Sequence, residues 1–397
     1  MKILIINDMY REWGGTETYI LEIKKILEKN KHKVHIIAFS DKQLESTDLT
    51  LIIHSKNKYM LNFRRFFFSF EIYNKFKKKI KEFNPDVIHL HNNNQYSLSV
   101  LLAIKNSKIP AIFTVHDWGV ICANGWGVLK KNYYKKCTCV NGIGIVCLYN
   151  GCISFNHWLI SFFRNKLRSY FNKRIFKAYI SPSNSLKKDL EEHGFLNIFW
   201  NPSFIDSKSK TNSFNKRENT ILYVGSLSEN KGVKYLIEAF NIFHKQNPKF
   251  KLKIIGDGSE MNNLLDIVRN LLLKDSVEFT GRIPHNEVLK EFSKAKIFVV
   301  PSVWMENSPF VIIEALSHGL PVIGTNRGGI TDFVINNKNG FLVEVANPEE
   351  LNKSIEKIAN NKKLWLNFSK NSLNLVKQAD SKKHYKKLME IYNSISN

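Results

Sequence analysis

The chain has 397 residues, which suggests two domains, and 43% of them are hydrophobic, so two ordinary cores form without disorder or a membrane span. Its formal net charge is +24 and its pI is near 9.6; a surface that basic seeks anions such as nucleic acid, phosphorylated substrates or an anionic membrane face, although coding bias toward Lys and Asn accounts for part of the charge. The opening apolar run is too short for a signal peptide, and no stretch approaches the roughly 18 uninterrupted apolar residues of a membrane-spanning helix, so a cytoplasmic protein is expected.

Lys2 to Ile6 is a continuous apolar run, as a buried parallel strand should be. Gly14-Gly15 leads into a helical pattern with Tyr19, Ile20, Ile23, Ile26 and Leu27 on one face. Further strands are expected at Val34–Phe39, Asp86–Leu90, Ala111–Val115 and Ala178–Ser181, the last followed by a helix that Ser183 caps. From Ser203 to Asn219 the composition turns to Ser, Lys and Asn, which reads as a linker. Alternation then restarts with strands at Ile221–Val224, Leu252–Ile255, Val277–Phe279, Ile297–Val300 and Val322–Ile323. The pattern predicts an α/β protein of two doubly wound, Rossmann-like domains, 1–202 and 203–375. A final helix, about 376–397, is amphipathic through Tyr385, Leu388, Met389 and Tyr392 and is expected to pack back on the first domain. Ligands of such sheets bind beyond the carboxyl ends of the strands, so two domains facing each other would place the chemistry in strand-to-helix loops around a cleft.

Two segments carry that chemistry. In Gly225-Ser-Leu-Ser-Glu-Asn-Lys231-Gly232 a strand ends at Gly225 and a helix starts near Lys231. Backbone N–H groups and an ammonium there suit a diphosphate; a plain helix start with a solvated lysine is the alternative. In Trp304-Met-Glu306-Asn-Ser308-Pro309-Phe310-Val311-Ile-Ile-Glu314, Ser308 and Pro309 suit a helix start. Glu306 precedes that helix and Glu314 lies about two turns into it. A carboxylate amid such apolar neighbours needs hydrogen-bond partners, which sugar and ribose hydroxyls or a nearby backbone would provide. No Asp-x-Asp occurs, so a metal-held diphosphate is not expected and no cofactor is required for catalysis.

The order of these blocks resembles family 4 of the GT-B-fold glycosyltransferases over nearly the whole chain. The resemblance rests on Gly14-Gly15-Thr-Glu17, His116-Asp117-x-x-x-x-Cys122, Gly225-x-Leu-x-x-x-Lys231-Gly232, Gly256-Asp-Gly258, Glu306-Asn-Ser-Pro-Phe310 with Glu314, and Gly328-Gly329. It implies a retaining enzyme that moves a sugar from a nucleotide-sugar donor. In that likeness Lys231 pairs with the donor diphosphate, Glu306 sits against the transferred sugar, and main-chain N–H groups near Phe310 and Val311 approach the sugar or phosphate. Glu314 binds the ribose, the turn at Arg282-Ile283 faces the base, Gly14-Gly15 lets backbone approach sugar and acceptor, and His116 lies across the cleft as a catalytic candidate. Ser226 stands where many members carry Arg, and Thr331-Asp332 where Pro-Glu is frequent. The expected donor is a UDP-sugar ahead of a GDP-sugar, and the expected acceptor is a polyprenyl-diphosphate-linked saccharide in bacterial surface polysaccharide synthesis. A sugar-nucleotide epimerase of the same fold and a basic anion-binding protein without catalysis are the alternatives; no nucleic-acid recognition element is present.

Two features lie outside that scheme. Cys137, Cys139, Cys147 and Cys152, with Cys122 nearby, suit a structural zinc held by thiolates or free buried thiols, with redox or disulfide use as the remaining alternative. Phe63-Arg-Arg-Phe-Phe-Phe, leading into Lys75, Lys77, Lys78, Lys79 and Lys81, and the segment from Trp158 to Arg174 both mix aromatic and basic residues. They point to docking of the first domain on an anionic membrane; ordinary amphipathic helices whose aromatics fill the core of that domain are the alternative.

Overall fold

The structure is a computed structural model that describes residues 1–7, 15–40, 45–46, 49–53, 68–92, 97–123, 125–129, 131–137, 144–206 and 212–396. The chain divides into two compact units, Met1–Pro202 with Ser381–Asn397, and Ser203–Asp380.

The first unit is built on strands β1 (Lys2–Asn7), β2 (Lys33–Ser40), β3 (Glu45–Ser46), β4 (Leu49–Ile53), β5 (Val87–Leu90), β6 (Ala111–Thr114), β9 (Ala178–Ser181) and β10 (Ile198–Trp200), with a separate hairpin of β7 (Val128–Leu129) and β8 (Asn132–Lys136). The sheet order is β10-β9-β6-β5-β1-β2-β4-β3, and every pair is parallel except β3 with β4. Ile3, Leu4 and Ile5 are fully buried on successive positions of β1, which is why this strand is continuously apolar. The chain leaves β1 for β2 on one side and returns to β5 on the other, so the sheet switches direction between β1 and β5.

Its helices are α1 (Gly15–Lys29), α2 (Phe70–Phe83), α3 (Ser97–Ser107), α4 (Ile145–Tyr149), α5 (Phe155–Ile175) and α6 (Asn184–Glu192). Helix α1 buries Tyr19, Ile20, Ile23 and Leu27, leaving Ile26 at the border of that face. Ser183 caps α6 by accepting the Leu186 N–H at 3.2 Å.

The second unit carries β11 (Thr220–Val224), β12 (Lys251–Ile255), β13 (Val277–Gly281), β14 (Ile297–Val300), β15 (Val322–Thr325) and β16 (Gly340–Val343) in the order β13-β12-β11-β14-β15-β16, all parallel. Helices α7 (Val233–His244), α8 (Met261–Asn270), α9 (His285–Lys294), α10 (Phe310–Ser317), α11 (Ile330–Phe333), α12 (Pro348–Ala359) and α13 (Lys362–Leu375) connect them. One core layer is filled by Phe240, Phe243, Ile355 and Trp365, the other by Phe292, Ile313 and Leu316.

Two expectations need correction. The segment 203–219 does not behave as a solvated linker where it is described. Phe204 is buried, and the buried Arg217 guanidinium donates to the carbonyls of Phe292, Ala295 and His318, tying together the C-terminal ends of α9 and α10. Burial lowers its pKa to about 10, so it stays a cation. The last helix, α14 (Ser381–Ser396), starts later than expected, because Val376–Ala379 is a 3₁₀ turn whose Ala379 belongs to the core of the second unit. Helix α14 packs within the first unit through His384, Leu388, Ile391, Tyr392 and Ile395, while Tyr385 and Met389 sit at the edge of that face.

Candidate active site

In the second unit, three loops leave the carboxyl ends of β11, β12 and β13 and are knit by main-chain bonds. Gly225 N donates to Ile255 O at 3.0 Å, Leu227 N to Asp257 O at 3.0 Å, and Gly256 N to Gly281 O at 2.9 Å. This brings the Gly225 loop beside the turn that carries Arg282, which is exposed, and Ile283, which is half-buried. The first loop ends in a 3₁₀ turn, Glu229–Lys231, and then Gly232 at φ 66°. A Cβ at Gly232 would stand 2.2 Å from the Pro301 carbonyl, so only glycine lets Lys231 press against the end of β14.

That contact joins Lys231 to Glu306. The Lys231 ammonium donates to Glu306 Oε1 at 2.7 Å, Ser302 Oγ donates to the same oxygen at 2.6 Å, and the ammonium lies 4.7 Å from the centre of the Trp304 ring. Burial by itself would raise the Glu306 pKa; the Lys231 charge and the hydrogen bonds to it outweigh that and hold the carboxyl below its usual value, so it is ionised at neutral pH. The Glu306 main chain is fixed from the other side, where Gly329 N donates to Glu306 O at 2.6 Å. Gly328 has φ 52°, and a Cβ there would stand 2.0 Å from Glu306 O. Gly328→Ala therefore combines backbone strain with a clash against the loop that aims Glu306. We expect it to lower stability by at least about 1 kcal/mol and turnover with it; urea melts and a donor-turnover assay read both, and wild-type values in both would show that the loop is not held this way.

Glu314 is the fifth residue of α10, a little over one turn from its start and not two. Its Oε1 is 2.7 Å from His285 Nε2, the first residue of α9, a partner that sequence reasoning missed. Ser308 does not cap α10; its hydroxyl accepts the Ser203 N–H at 3.0 Å, and Pro309 occupies the cap position. The first-turn N–H groups near Phe310 and Val311 have no carbonyl four residues back within the helix. Lys231 with Glu306, and His285 with Glu314, thus form two hydrogen-bonded pairs beyond the carboxyl ends of this sheet.

In the first unit, His116 follows β6 and is half-buried. Its Nε2 is 2.9 Å from His91 Nδ1, and the Tyr19 ring meets it edge-on at 5.1 Å. Loss of water among these rings pushes the His116 pKa down to about 3, so the imidazole is neutral. Sequence reasoning missed its surroundings. The fully buried His89 lies 2.7 Å from both the Tyr392 hydroxyl and Thr114 Oγ1, and His384 lies 3.3 Å from the Tyr19 hydroxyl and 2.9 Å from Pro202 O. The only signal for them was His89-x-His91 at the end of an apolar strand. Asp117 caps the turn after His116 by accepting the Gly119 N–H at 2.6 Å, and Arg168 of α5 donates to Gly119 O, so this motif is anchored to the helix. Gly14 lies outside the described residues. Gly15 opens α1, and a Cβ there would meet nothing within 4 Å, so packing inside the described chain gives no reason for glycine at that position.

Among the described residues no group of three or more His, Cys, Asp or Glu side chains gathers as a metal site, and Cys139 lies outside them. Of the other cysteines, Cys122 and Cys147 are buried and Cys137 and Cys152 half-buried. Elemental analysis of the reduced protein tests a thiolate site: it would hold about one zinc per chain and lose first-unit stability under a chelator. A zinc-free protein with titratable thiols returns these cysteines to ordinary packing.

Comparison with known proteins shows the family. Residues 204–375 match the family model for glycosyl transferases group 1, and residues 13–207 match that for glycosyltransferase family 4. An uncharacterized glycosyltransferase of Haemophilus influenzae is 29% identical over 361 residues, covering 90% of each chain. The alpha-monoglucosyldiacylglycerol synthase of Streptococcus pneumoniae is 24% identical, covering 86% of this chain and 75% of its own. Among solved structures, Anabaena HepE in complex with UDP superposes with a TM-score of 0.74 at 16% identity, covering 99% of this chain and 100% of that one. The fold is therefore that of the GT-B glycosyltransferases. The two family models together span nearly the whole chain, which belongs to the family 4, group 1 glycosyltransferases.

Proposed function

We propose that this glycosyltransferase is a retaining enzyme that moves a hexosyl or N-acetylhexosaminyl group from a UDP-sugar to a lipid-linked saccharide of a surface polysaccharide, working on the cytoplasmic face of an anionic membrane. The observation that carries the reading is the Lys231–Glu306 pair held at 2.7 Å beyond the strand ends. In the absence of donor the two charges neutralise each other. A diphosphate bound at the Gly225–Gly232 loop competes for the ammonium, which then stabilises the negative charge that grows on the leaving group. Glu306, still bonded to Ser302, faces the positive charge that develops on the sugar ring. His285 orients Glu314 toward the ribose hydroxyls. The neutral His116 offers one nitrogen as donor or acceptor to a sugar hydroxyl rather than a charge. Same-face displacement breaks the bond from the anomeric carbon to the diphosphate and forms one to the acceptor oxygen, whose proton passes to the departing phosphate.

The UDP preference draws on the nucleotide in the Anabaena structure, and the lipid acceptor on the name of the streptococcal relative. A thermal-shift panel of UDP- and GDP-sugars tests the donor, since a ligand at about 100 times its Kd stabilises the fold by roughly 2.7 kcal/mol. UDP-sugars are expected to raise Tm and to be hydrolysed slowly to UDP. No shift with any of them, or release of an epimerised free nucleotide sugar, would overturn this reading.

A further inference from the structure

Helix α5 packs against α3, and among its described side chains the buried ones are polar, Ser161, Arg168 and Asn172, with Trp158, Phe162, Phe171 and Ile175 half-buried. Its exposed side carries Phe155, Leu159, Phe163, Leu167 and Tyr170, which at intervals of three and four residues form one apolar stripe along the helix. Their exposures run from 48% at Leu167 to 79% at Phe155. A helix that packs only against its own domain buries the opposite set. The short α4 extends the apolar surface. Trp158 of α5 donates to Gly144 O at 3.1 Å, just before exposed Ile145, Val146 and Tyr149.

What covers this stripe is decided by charge. From Asp117 to Asp189 the chain holds no acidic residue in between and twelve lysines or arginines. Several of these cations border the stripe: Lys166 lies 4.5 Å from the Phe162 ring centre, Arg174 3.7 Å from that of Tyr170, and Lys131 5.1 Å from that of Tyr149. At the end of α5, a groove of about 760 Å³ is lined by Lys173, Arg174 and Lys177 together with Leu196 and Phe199. Lys173 and Lys177 donate there to the carbonyls of His193 and Ile395, not to carboxylates. Two copies of so cationic a face repel each other, and an aromatic stripe edged by Lys and Arg fits the boundary between acyl chains and anionic headgroups.

Helix α2, the other basic segment, has a different build. It buries Ile72, Phe76 and Ile80, and its Lys75, Lys78 and Lys79 face Glu71 and Glu82, so it is an ordinary amphipathic helix. Phe63 to Phe67 lie outside the described residues.

We propose that the exposed face of α5, with α4 and the cationic groove at its end, is the surface through which the first unit docks on an anionic lipid bilayer. This deepens the membrane reading above by naming the surface and its lipid chemistry.

Co-sedimentation of the full chain with vesicles of phosphatidylcholine, alone or with phosphatidylglycerol, tests it. Binding is expected to require the anionic lipid and to weaken with salt. The combined variant Phe163→Ser, Leu167→Ser, Tyr170→Ser and the combined variant Lys166→Glu, Lys173→Glu, Arg174→Glu should each lower partitioning at least about tenfold. Lys75→Glu with Lys78→Glu on α2 should lower it far less. All these positions are exposed, so Tm and hydrolysis of donor in solution should stay at wild-type values and report intact folding. Equal recovery with neutral and anionic vesicles overturns the proposal, as does unchanged binding of the stripe variant. So does a wild-type dimer that the stripe variant abolishes, which would give the face to a second copy. Donor turnover without vesicle binding refutes docking and leaves the transferase standing; vesicle binding with no turnover of any donor refutes the proposed reaction and leaves the docking surface standing.

Discussion

Glu306→Gln is expected to lower transfer by at least about 100-fold, the scale seen when one preorganised charge is removed from a reacting centre, with a small change in Tm. The asymmetry follows from burial. Glu306 is buried and ionised only because Lys231 and Ser302 meet it, and the amide keeps the shape and one hydrogen-bond acceptor. The Lys231 side chain retains 20% exposure, so the unpaired ammonium still reaches water. Lys231→Ala should behave in the opposite way. It strands a buried carboxylate, which costs about 3 kcal/mol or more, and it removes the cation nearest the expected diphosphate. The two variants therefore separate: the first keeps the fold and loses turnover, while the second loses stability and nucleotide affinity together. Adding Glu306→Gln to Lys231→Ala should restore much of the lost Tm without restoring activity, because no buried charge is then left alone. Turnover, UDP affinity and urea melts on the three proteins measure this. Near wild-type turnover in Glu306→Gln would remove Glu306 from the reaction.

Much of this arrangement was legible in the sequence where a single physical cause dominates. Ile3–Leu4–Ile5 and Ile221–Leu222 announce central parallel strands because both faces are buried. Gly232 and Gly328 stand out because no other residue fits the close approach beneath them. Strands at or next to a sheet margin were only partly legible: Val277–Phe279 was expected, whereas Leu49–Ile53, Ile198–Trp200 and Gly340–Val343 were not. Arg217 was missed because a cation in a polar segment reads as solvated; its burial is set by three carbonyls from elements far along the chain. His285 was missed for a similar reason, since its partner Glu314 is 29 residues away. Helix α5 was read correctly as aromatic and basic, but the sequence does not say which side faces out.

Stability of the first unit is expected to fall steeply as pH drops below about 6.5, through its buried histidines. His89, His91 and His384 are buried, His116 is half-buried, and all four belong to this unit. Burial pushes His116 and His384 down to about 3, and it drives His89 and His91 well below the usual value, helped by the neighbouring imidazoles. Lys387 on the same helix opposes protonation of His384 as well. The sign follows from proton counting. In the unfolded chain each imidazole titrates near 6.5, whereas in the fold each stays neutral to lower pH, so the unfolded state binds more protons between those values. Stability from these groups is complete above about pH 6.5 and is lost on acidification, at up to roughly 1.4 kcal/mol per imidazole per pH unit. Four groups together approach the whole stability of a typical domain, about 5–15 kcal/mol, within one to two pH units. Two of the contacts at stake, His89 with Tyr392 and His384 with Tyr19, hold α14 in place, so this helix should lose protection first. Urea melts from pH 8 to 5, with hydrogen exchange read on residues 381–396, measure both effects. His384→Gln should remove one titrating group and lower the slope of stability against pH by about 1.4 kcal/mol per unit, whatever it does to stability at pH 8. A flat profile between pH 7.5 and 5.5, or a slope unchanged in His384→Gln, would mean that these imidazoles take up protons in place and that the cluster is wetter than its packing implies.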